Sequence, residues 1–355
     1  MIAKTNEVIS VGDILRTISR SDRFGLHEID LLLRQEGICR DSNLDYSCGI
    51  YDEEENLVAT GSCFGSTIRC LAVSGTRRGQ GLLVQVVSHL MDVQARRGNL
   101  HVFVYTKSAN IALFSSLGFH EITRASGETV FMENRRDGFD CYCAALEKRQ
   151  GQRIAAVVMN ANPFTLGHRH LVERASREND VVHLFLLSEE AGPIPFSVRR
   201  KLVEEGIGDL GNVLLHESGP YMISSATFPS YFLKDEDAVI RAHAELDVEV
   251  FFKIAEGLGI RYRYLGEETT SHVTALYNEV LASRLGERGI ECRIIPRLRA
   301  DGMVISASTV RQAIRDGRLE SVHAMLPDCT YRYFSSPDSA AVRADICREE
   351  NVVHY

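Results

Sequence analysis

The chain has 355 residues, which exceeds the length of one typical domain and favours two. Its hydrophobic share of 45% and charged share of 25% are those of an ordinary globular protein, and a net charge of −8 argues against nucleic acid as the main partner. No run of about 18 or more apolar residues occurs, so neither a spanning helix nor a membrane partner is expected. The N-terminal MIAKTNEVIS lacks the apolar stretch of a secretion signal.

The cysteines number nine and stand mostly inside apolar runs, as Cys63, Cys70 and Cys292 do. This usage predicts buried thiols in a reducing cytoplasm rather than a disulfide framework. Cys141 and Cys143 form a single C-x-C pair, and no second Cys or His pair stands near it at the spacing of a four-ligand zinc site. We therefore expect a cytoplasmic protein with no protein-bound metal.

The first half alternates strand-like and helix-like stretches. LDYSCGIYD and NLVATGSCFG are predicted to form a hairpin around residues 52–55, and TIRCLAVS is predicted to be a further strand. A helix is predicted from Leu82 to Arg97. It is followed by the strand NLHVFVYT and by the short helix ANIALFSSLG, which stops at Gly118.

The second half repeats strand and helix in a regular order. Its predicted strands are near-continuous apolar runs, as expected where both faces of a parallel sheet are covered: RIAAVVMN, VVHLFLLS, NVLLHES, RYRYLGEE and ECRIIPR. Helical patterns lie near 167–179, 197–207, 235–257 and 272–286, and a last helix begins at SASTVRQAIRDG. This order predicts an open, doubly wound α/β sheet that binds ligands at the carboxyl ends of its strands. We place the domain boundary near residue 150, which gives domains 1–150 and 151–355.

The segment TRRGQGLL follows a predicted strand and opens a helix. Gly79 and Gly81 allow the backbone to approach a ligand closely, and the free N–H groups of a helix start can hold a phosphate. For this motif alone, a plain glycine-rich turn remains the alternative. The following strand leads into NIALFSSLGF, which places Asn110 at a second helix start.

Taken in order, the strand, RRGQG, the helix, the next strand and NIALFSSLGF resemble the GNAT family of acyl-CoA-dependent acetyltransferases over roughly residues 20–135. The resemblance implies an α+β fold whose splayed strands hold the pantetheine arm of a CoA-like group. It also implies that the loop containing Arg77, Arg78, Gly79 and Gly81 holds the pyrophosphate, and it makes Asn110 a further candidate for binding the CoA-like group. Thr76 stands where the family usually has Gln or Arg, so binding of such a group is favoured over acetyl transfer.

NANPFTLGHRH follows the first strand of the second half. The predicted strand-to-helix turn comprises Asn160, Asn162, Pro163, Phe164 and Gly167. Thr165 and His168 then face whatever lies at the helix N-terminus. A triphosphate suits this place, because the helix dipole and free N–H groups favour an anion and a histidine can donate to a phosphate oxygen. A capped helix with a satisfied histidine remains the alternative for this motif alone.

A second motif, ISASTVRQAIRDG, follows the last strand and supplies hydroxyl groups at a helix start with an arginine one turn later. T-x-G-H after the first strand and S-x-S-T-x-R after the last resemble the HxGH nucleotidyltransferase superfamily, which includes phosphopantetheine adenylyltransferase. The resemblance implies a Rossmann-like domain that binds ATP together with Mg²⁺. Thr165 and His168 would contact the α-phosphate. The outer phosphates would be held at the second motif, which contains Ser306, Ser308, Thr309 and Arg311.

Two further segments contribute candidates. PIPFSVRRKLVEEG corresponds in this fold to a phosphate-reaching loop, so Arg199 and Lys201 are candidates, although a basic group at a helix start usually faces solvent. GEETTSHVTALYN lies where the fold recognises the nucleotide, which points to Glu267 and Asn278. The predicted catalytic residues are Thr165, His168, Lys201 and Arg311.

The pairing of the two domains, with stretches such as NANPFTLGHRHLVE, YMISSATFPSYFLK and ISASTVR, resembles the citrate lyase ligase family over nearly the whole chain. The resemblance implies an enzyme that joins acetate to the thiol of the dephospho-CoA-derived prosthetic group on the citrate lyase acyl carrier subunit. Acetyl adenylate would form first, with release of pyrophosphate and then AMP. Three alternatives stay open: an acetate ligase for another carrier, such as that of malonate decarboxylase; a plain adenylyltransferase; and a nucleotide sensor with a CoA-binding module.

Overall fold

The computed structural model describes residues 12–41, 43–125, 129–190, 192–222, 236–267, 272–300 and 302–348. Most of the YMISSATFPSYFLK stretch therefore lies outside the described residues. The chain divides into two compact units, one of Met1–Gly138 and Pro229–Ala242 and the other of Phe139–Phe228 and His243–Tyr355. The boundary near residue 150 stays a prediction. Among the described residues, no helix combines the length and apolarity needed to cross a membrane.

The first unit contains one seven-stranded sheet of order β1-β2-β3-β4-β5-β7-β6. Its elements are β1 (Ile14–Ile18), α1 (Arg23–Gln35), β2 (Tyr46–Tyr51), β3 (Leu57–Phe64), β4 (Thr67–Val73), α2 (Leu82–Arg96), β5 (Phe103–Lys107), α3 (Ile111–Ser116), β6 (His120–Arg124) and β7 (Thr129–Glu133). Neighbouring strands are antiparallel except β4 and β5. The predicted hairpin β2–β3 and helix α2 are confirmed. The core joins the inner sheet face to α2 and α3 through residues such as Ile68, Val86 and Phe114.

Strands β4 and β5 diverge. Within their described lengths they pair at only two positions, Thr67 with Phe103 and Ile68 with Val104. Strand β4 is also irregular where it meets β3, since the register shifts there and Cys70 has a φ of +51°. Bulges of this kind bend a strand and end regular pairing. The backbone groups beyond the last pair must find other partners, and this opening is the splay that the GNAT resemblance predicts.

The elements that follow β7 are α4 (Gly138–Ala145), β8 (Ile154–Met159), α5 (Leu166–Glu178), β9 (Val181–Leu186), α6 (Phe196–Ile207), β10 (Val213–Glu217), α7 (Glu236–Leu258), β11 (Tyr262–Gly266), α8 (His272–Glu287), β12 (Glu291–Ile295), β13 (Arg299–Ala300), β14 (Met303–Val304), α9 (Ala307–Arg315), α10 (Asp328–Ser335) and α11 (Ala340–Arg348). The five predicted strands of the second half are confirmed. The prediction that the last helix begins near Ser306 was wrong, because α10 and α11 follow α9.

The second unit contains a five-stranded parallel sheet of order β10-β9-β8-β11-β12. Every residue of β9 is buried, because helices cover both faces of such a sheet and leave no solvated side. From β8 the chain first adds β9 and β10 on one side, and then returns to add β11 and β12 on the other. The strand order therefore reverses between β8 and β11, and doubly wound sheets bind ligands above such a switch point. The predicted fold class is confirmed.

Candidate active site

A cavity of about 350 Å³ lies in the second unit at the carboxyl ends of β8, β11 and β12. It occupies the switch point of the sheet. Both sequence motifs contribute to its wall, through Asn160, Asn162, Thr165, Gly167, His168, Ser306, Ser308 and Arg311. The starts of α5 and α9, which are 141 residues apart (307 − 166), thus face one space. An anion in this cavity would meet two helix N-termini at once.

His168 closes the first turn of α5. Its Nδ1 accepts a hydrogen bond from the backbone N–H of Thr165 at 3.1 Å, and the Thr165 hydroxyl accepts one from the His168 backbone N–H at 3.4 Å. A ring nitrogen that accepts carries no proton, so the neutral ring carries its proton on Nε2. Burial, and then the nearby Arg297 guanidinium, lower the pKa of His168 to about 4. Near neutral pH the ring therefore offers an uncharged N–H donor.

This shift predicts a pH dependence of stability. The unfolded chain binds a proton on His168 below its ordinary pKa of about 6.5, whereas the folded chain does so only below about 4. Between these values the unfolded state binds more protons, so stability falls as the pH falls. Relative to His168→Gln, which cannot titrate, the wild-type unfolding free energy should drop by about 1–3 kcal/mol from pH 6.5 to pH 4. Urea titrations at several pH values measure this, and a constant difference would contradict the prediction.

Ser306 caps the start of α9. Its Oγ accepts a hydrogen bond from the Thr309 backbone N–H at 3.1 Å, and it lies 2.7 Å from the Thr309 Oγ1 and 3.0 Å from the Ser308 Oγ. Ser306 and Ser308 line the cavity, whereas Thr309 does not. The hydroxyl of Thr309 therefore supports the cap, and that of Ser308 is the one placed to meet a ligand.

Arg311 connects the two motifs. Its side chain is buried, lines the cavity and donates a hydrogen bond from Nη1 to the backbone carbonyl of Asn162. The Asn162 side chain is also buried, and neither its amide nitrogen nor its oxygen has a partner within the described part of the chain. The absence of a side chain at Gly192 makes room for this amide, because a Cβ on Gly192 would lie 2.0 Å from Asn162 Nδ2. An unpartnered buried amide beside a cavity is suited to hydrogen-bond a ligand.

Arg199 and Lys201 lie outside the cavity wall. The buried Arg199 guanidinium donates to four backbone carbonyls, those of Asn160, Leu187, Glu189 and Ile194. It thereby joins the end of β8 to the segment between β9 and α6. The Lys201 side chain is exposed and pairs with Glu205 at 4.0 Å. At the start of α6, Arg199 therefore supports the surrounding loops, whereas Lys201 faces solvent.

The remaining predicted residues of the second unit also form two groups, one buried beneath the turn and one on the cavity wall. Pro163 and Phe164 are buried beneath the turn, and the Phe164 ring stacks on the His168 ring with centroids 6.0 Å apart. Glu267 and Asn278 lie on the wall of the cavity. Asn278 donates to the Gly266 carbonyl at 3.3 Å, which holds it at the end of β11.

The wall also contains charged residues that the motifs did not indicate. Arg297 follows β12, donates from Nε to the Glu267 carbonyl at 2.7 Å and adds positive potential near His168. Its position just beyond the carboxyl end of a strand is the signal that would have found it. Arg263 and Asp247 lie elsewhere on the wall as a buried ion pair with a 3.4 Å separation. They come from the middle of a strand and of a helix, where sequence gives no such signal.

The candidates of the first unit lie at the start of α2. Gly79 and Gly81 have left-handed φ values of +80° and +78°, and no atom lies within 4 Å of a Cβ built on either. Arg77 pairs with Asp13 at 2.8 Å, and Arg78 pairs with Glu36. Asn110 donates to the Thr106 hydroxyl at 3.2 Å. The glycines therefore leave open space before a helix start, and the two arginines are held by carboxylates.

Within the described ranges, no group of three or more His, Cys, Asp or Glu side chains is arranged to hold a metal ion. All nine cysteines are free thiols, and burial raises the pKa of Cys48, Cys63 and Cys70 to about 12. Thiols with such pKa values are poor nucleophiles at neutral pH. These three side chains therefore contribute to packing rather than to reactivity.

Comparison with known proteins identifies the family. Residues 154–334 match the model of the citrate lyase ligase C-terminal domain. The citrate (pro-3S)-lyase ligase of Haemophilus influenzae is 36% identical over 313 residues, which is 86% of this chain and 93% of that protein. The same ligase of Escherichia coli K12 is 34% identical over 332 residues, or 91% and 94% of the two chains.

Solved structures resemble the chain only in part. A putative acyl-CoA N-acyltransferase from Klebsiella pneumoniae is 19% identical and covers 34% of this chain and 95% of its own, with a TM-score of 0.30. Pantothenate synthetase from Thermus thermophilus is 20% identical and covers 58% and 80%, with a TM-score of 0.34. The family assignment thus comes from the sequence relatives, and this chain belongs to the citrate (pro-3S)-lyase ligase family of enzymes.

Proposed function

We propose that the protein uses ATP to join acetate to the thiol of the phosphoribosyl-dephospho-CoA prosthetic group on the citrate lyase acyl carrier subunit. The names of its relatives give a ligase of citrate (pro-3S)-lyase, and the shared cavity is the observation that supports a nucleoside triphosphate as its co-substrate here. Two helix starts, an uncharged histidine donor and the cavity-lining arginines Arg297 and Arg311 surround one space. Such a space suits a triphosphate whose innermost phosphorus is open to attack by a carboxylate.

The proposed chemistry has two steps. In the first, a carboxylate oxygen of acetate bonds to the α-phosphorus of ATP, while the bond from that phosphorus to the bridging oxygen breaks and its electron pair leaves with pyrophosphate. In the second, the carrier's thiol sulfur bonds to the acyl carbon of acetyl adenylate, and AMP leaves with the electron pair of the C–O bond. The thiol proton passes to solvent. The products are a thioester, AMP and pyrophosphate.

The side chains of the site act on the first step by position and charge. The His168 Nε2–H is proposed to donate to an α-phosphate oxygen, with Thr165 fixing the ring through the cap. Ser308 and Arg311, at the start of α9, are proposed to hold the outer phosphates. Oriented donors of this kind stabilise the charge that develops in the transition state without a protein nucleophile. Arg199 is proposed to hold the surrounding loops.

Magnesium enters this proposal only as the companion of the triphosphate. Mg²⁺ retains several waters and is bound largely through substrate phosphates, so it needs few protein ligands. It would neutralise part of the charge of the departing pyrophosphate.

The first unit is proposed to hold the prosthetic group of the carrier. The opening between β4 and β5 suits its pantetheine arm, and the start of α2 suits its pyrophosphate. Changing Gly79 and Gly81 to alanine should raise the half-saturating carrier concentration at least tenfold. The Cβ atoms would occupy the approach to the helix start, and the left-handed backbone would be strained. Carrier-independent ATP–pyrophosphate exchange should be unchanged.

Gly98 is the matched control for this change. It has a left-handed φ of +84° and no atom within 4 Å of an added Cβ, but it follows the other end of α2. Gly98→Ala should therefore carry the same kind of backbone strain as each of the two substitutions and leave carrier saturation unchanged. Equal effects of the two changes would show that strain, rather than lost binding, is responsible. If the Gly79 and Gly81 substitutions also abolished ATP–pyrophosphate exchange, the RRGQG segment would not act specifically on the carrier.

The proposed function is tested by incubating the protein with ATP, Mg²⁺, labelled acetate and the deacetylated carrier subunit of citrate lyase. Pyrophosphate release and carrier-bound label should appear together, with AMP as the nucleotide product. Label on the malonate decarboxylase carrier instead would indicate the alternative partner. An adenylyl group retained in the final product would indicate an adenylyltransferase, and ATP binding without pyrophosphate release would indicate a sensor.

A further inference from the structure

Arg263 is a buried charged residue on the cavity wall that is not among the proposed phosphate-binding residues. Arg263 on β11 is 2% exposed, lies over the Phe251 ring at 4.2 Å and pairs with Asp247 through Nη2 at 3.4 Å. Its Nε and Nη1 have no hydrogen-bond partner within the described part of the chain. A buried guanidinium left partly unsatisfied costs free energy, and such a cost in a native fold points to a partner that is bound in function.

The neighbours of Arg263 satisfy its hydrogen-bonding groups only in part. Asp247 Oδ2 accepts a hydrogen bond from the Tyr277 hydroxyl at 2.5 Å, so its negative charge is shared between two donors. The 3.4 Å contact to Arg263 is at the long end for a hydrogen bond. His243 lies beside Tyr277, with ring centroids 5.2 Å apart, and contributes no carboxylate. The arginine is therefore positioned, but it keeps donor capacity for an additional anionic group.

The position of this group in the sheet relates it to the phosphate-binding side. Successive side chains of a strand point to opposite faces. Tyr264 contacts Asn179 and Glu178 at the end of α5, whereas Arg263 contacts α7 on the other face. The cavity spans the end of β11 between these faces, and Leu265 and Gly266 lie on its wall. An anion near Arg263 would therefore face, across the strand end, a phosphate held at the start of α5.

We infer that Arg263, oriented by Asp247, Tyr277 and the Phe251 ring, binds the carboxylate of the short monocarboxylic acid substrate. This inference rests on the proposed function and specifies where its acid binds. One carboxylate oxygen accepts from the guanidinium, and the other is directed at the α-phosphorus. Val158 and Leu265 line the cavity and lie on the same sheet face as Arg263, and their apolar side chains suit a short aliphatic chain. The acid would then lie opposite the starts of α5 and α9, and pyrophosphate could leave on the side away from the acid.

The test is acetate-dependent ATP–pyrophosphate exchange, which needs no carrier. Arg263→Gln is expected to raise the half-saturating acetate concentration at least tenfold while the half-saturating ATP concentration stays within about twofold. Asp247→Asn still accepts the Tyr277 hydrogen bond but removes the negative charge near the acid. It is expected to lower the half-saturating acetate concentration severalfold. Opposite shifts of this kind would not follow from a purely structural ion pair.

Arg69 supplies the matched control. It forms a buried pair with Asp41 at 3.0 Å in the first unit and lies over the Phe64 ring. Arg69→Gln should leave acetate saturation unchanged. If Arg263→Gln leaves acetate saturation unchanged, or shifts acetate and ATP equally, the inference is overturned. If that variant does not fold, Asp247→Asn decides, and an unchanged acetate saturation overturns the inference. Wild-type protein without acetate-dependent exchange would instead overturn the proposed function itself.

Discussion

Replacing His168 by alanine is expected to slow acetate-dependent ATP–pyrophosphate exchange by about a hundredfold or more. The neutral ring lines the cavity and carries its proton on Nε2, and one oriented donor to the developing charge is typically worth about 3 kcal/mol. The half-saturating ATP concentration should change much less than the maximal rate, because the donor acts mainly in the transition state. Steady-state exchange at several ATP concentrations separates the two parameters.

His168→Gln provides the control for folding. Glutamine at the third position of a helix can also accept from the capping residue's N–H, so it should keep the α5 cap that alanine loses. Alanine should destabilise the protein by about 1 kcal/mol relative to glutamine in urea titration. Both variants should exchange slowly. A folded alanine variant with near-normal turnover would remove His168 from the mechanism.

Arg311→Gln is the second change with a large expected effect. It removes a buried positive charge and the hydrogen bond that joins the start of α9 to the Asn162 carbonyl. Charge-assisted contacts to phosphate are about twice as strong as neutral ones, so exchange should fall on the order of a hundredfold, the magnitude typical for loss of one such stabilising group. The half-saturating ATP concentration should rise as well, because Arg311 is proposed to hold the outer phosphates already in the ground state. Isothermal titration with a non-hydrolysable ATP analogue measures that binding directly.

Arg315→Gln is the matched change on the same helix. Arg315 lies about one turn beyond Arg311 and donates to the Ile346 carbonyl, away from the cavity. It should alter stability modestly and leave ATP binding unchanged. Equal losses of binding in the two variants would indicate that α9 has been disordered rather than that a phosphate contact has been removed.

Much of the second unit could be predicted from the sequence because its signals are local. The buried strands β8 and β9 are unbroken apolar runs, and the helices that follow them begin at residues suited to capping or turning. The two motifs could be placed at one site because parallel strands end at the same edge of a sheet. The shared cavity at the starts of α5 and α9 agrees with that reasoning.

The residues that sequence could not place depend on long-range packing. Arg199 and Arg311 are both basic residues in the first turns of a helix, yet one is surrounded by four carbonyls and the other lines the cavity. Their local sequences do not distinguish these outcomes. Arg263 and Asp247 are 16 residues apart (263 − 247) on different elements, and only the fold brings their side chains together.

The hydrogen bond from the Thr165 backbone to the His168 ring has a thermodynamic consequence. The same imidazole caps the first turn of α5 and is proposed to contact the nucleotide, so nucleotide binding and the opening of that turn are expected to be linked equilibria. Saturating ATP should therefore retard amide hydrogen–deuterium exchange at Leu166–Arg169 more than at the far end of the same helix. A substitution of this histidine should therefore change the stability of the turn and the binding of nucleotide together.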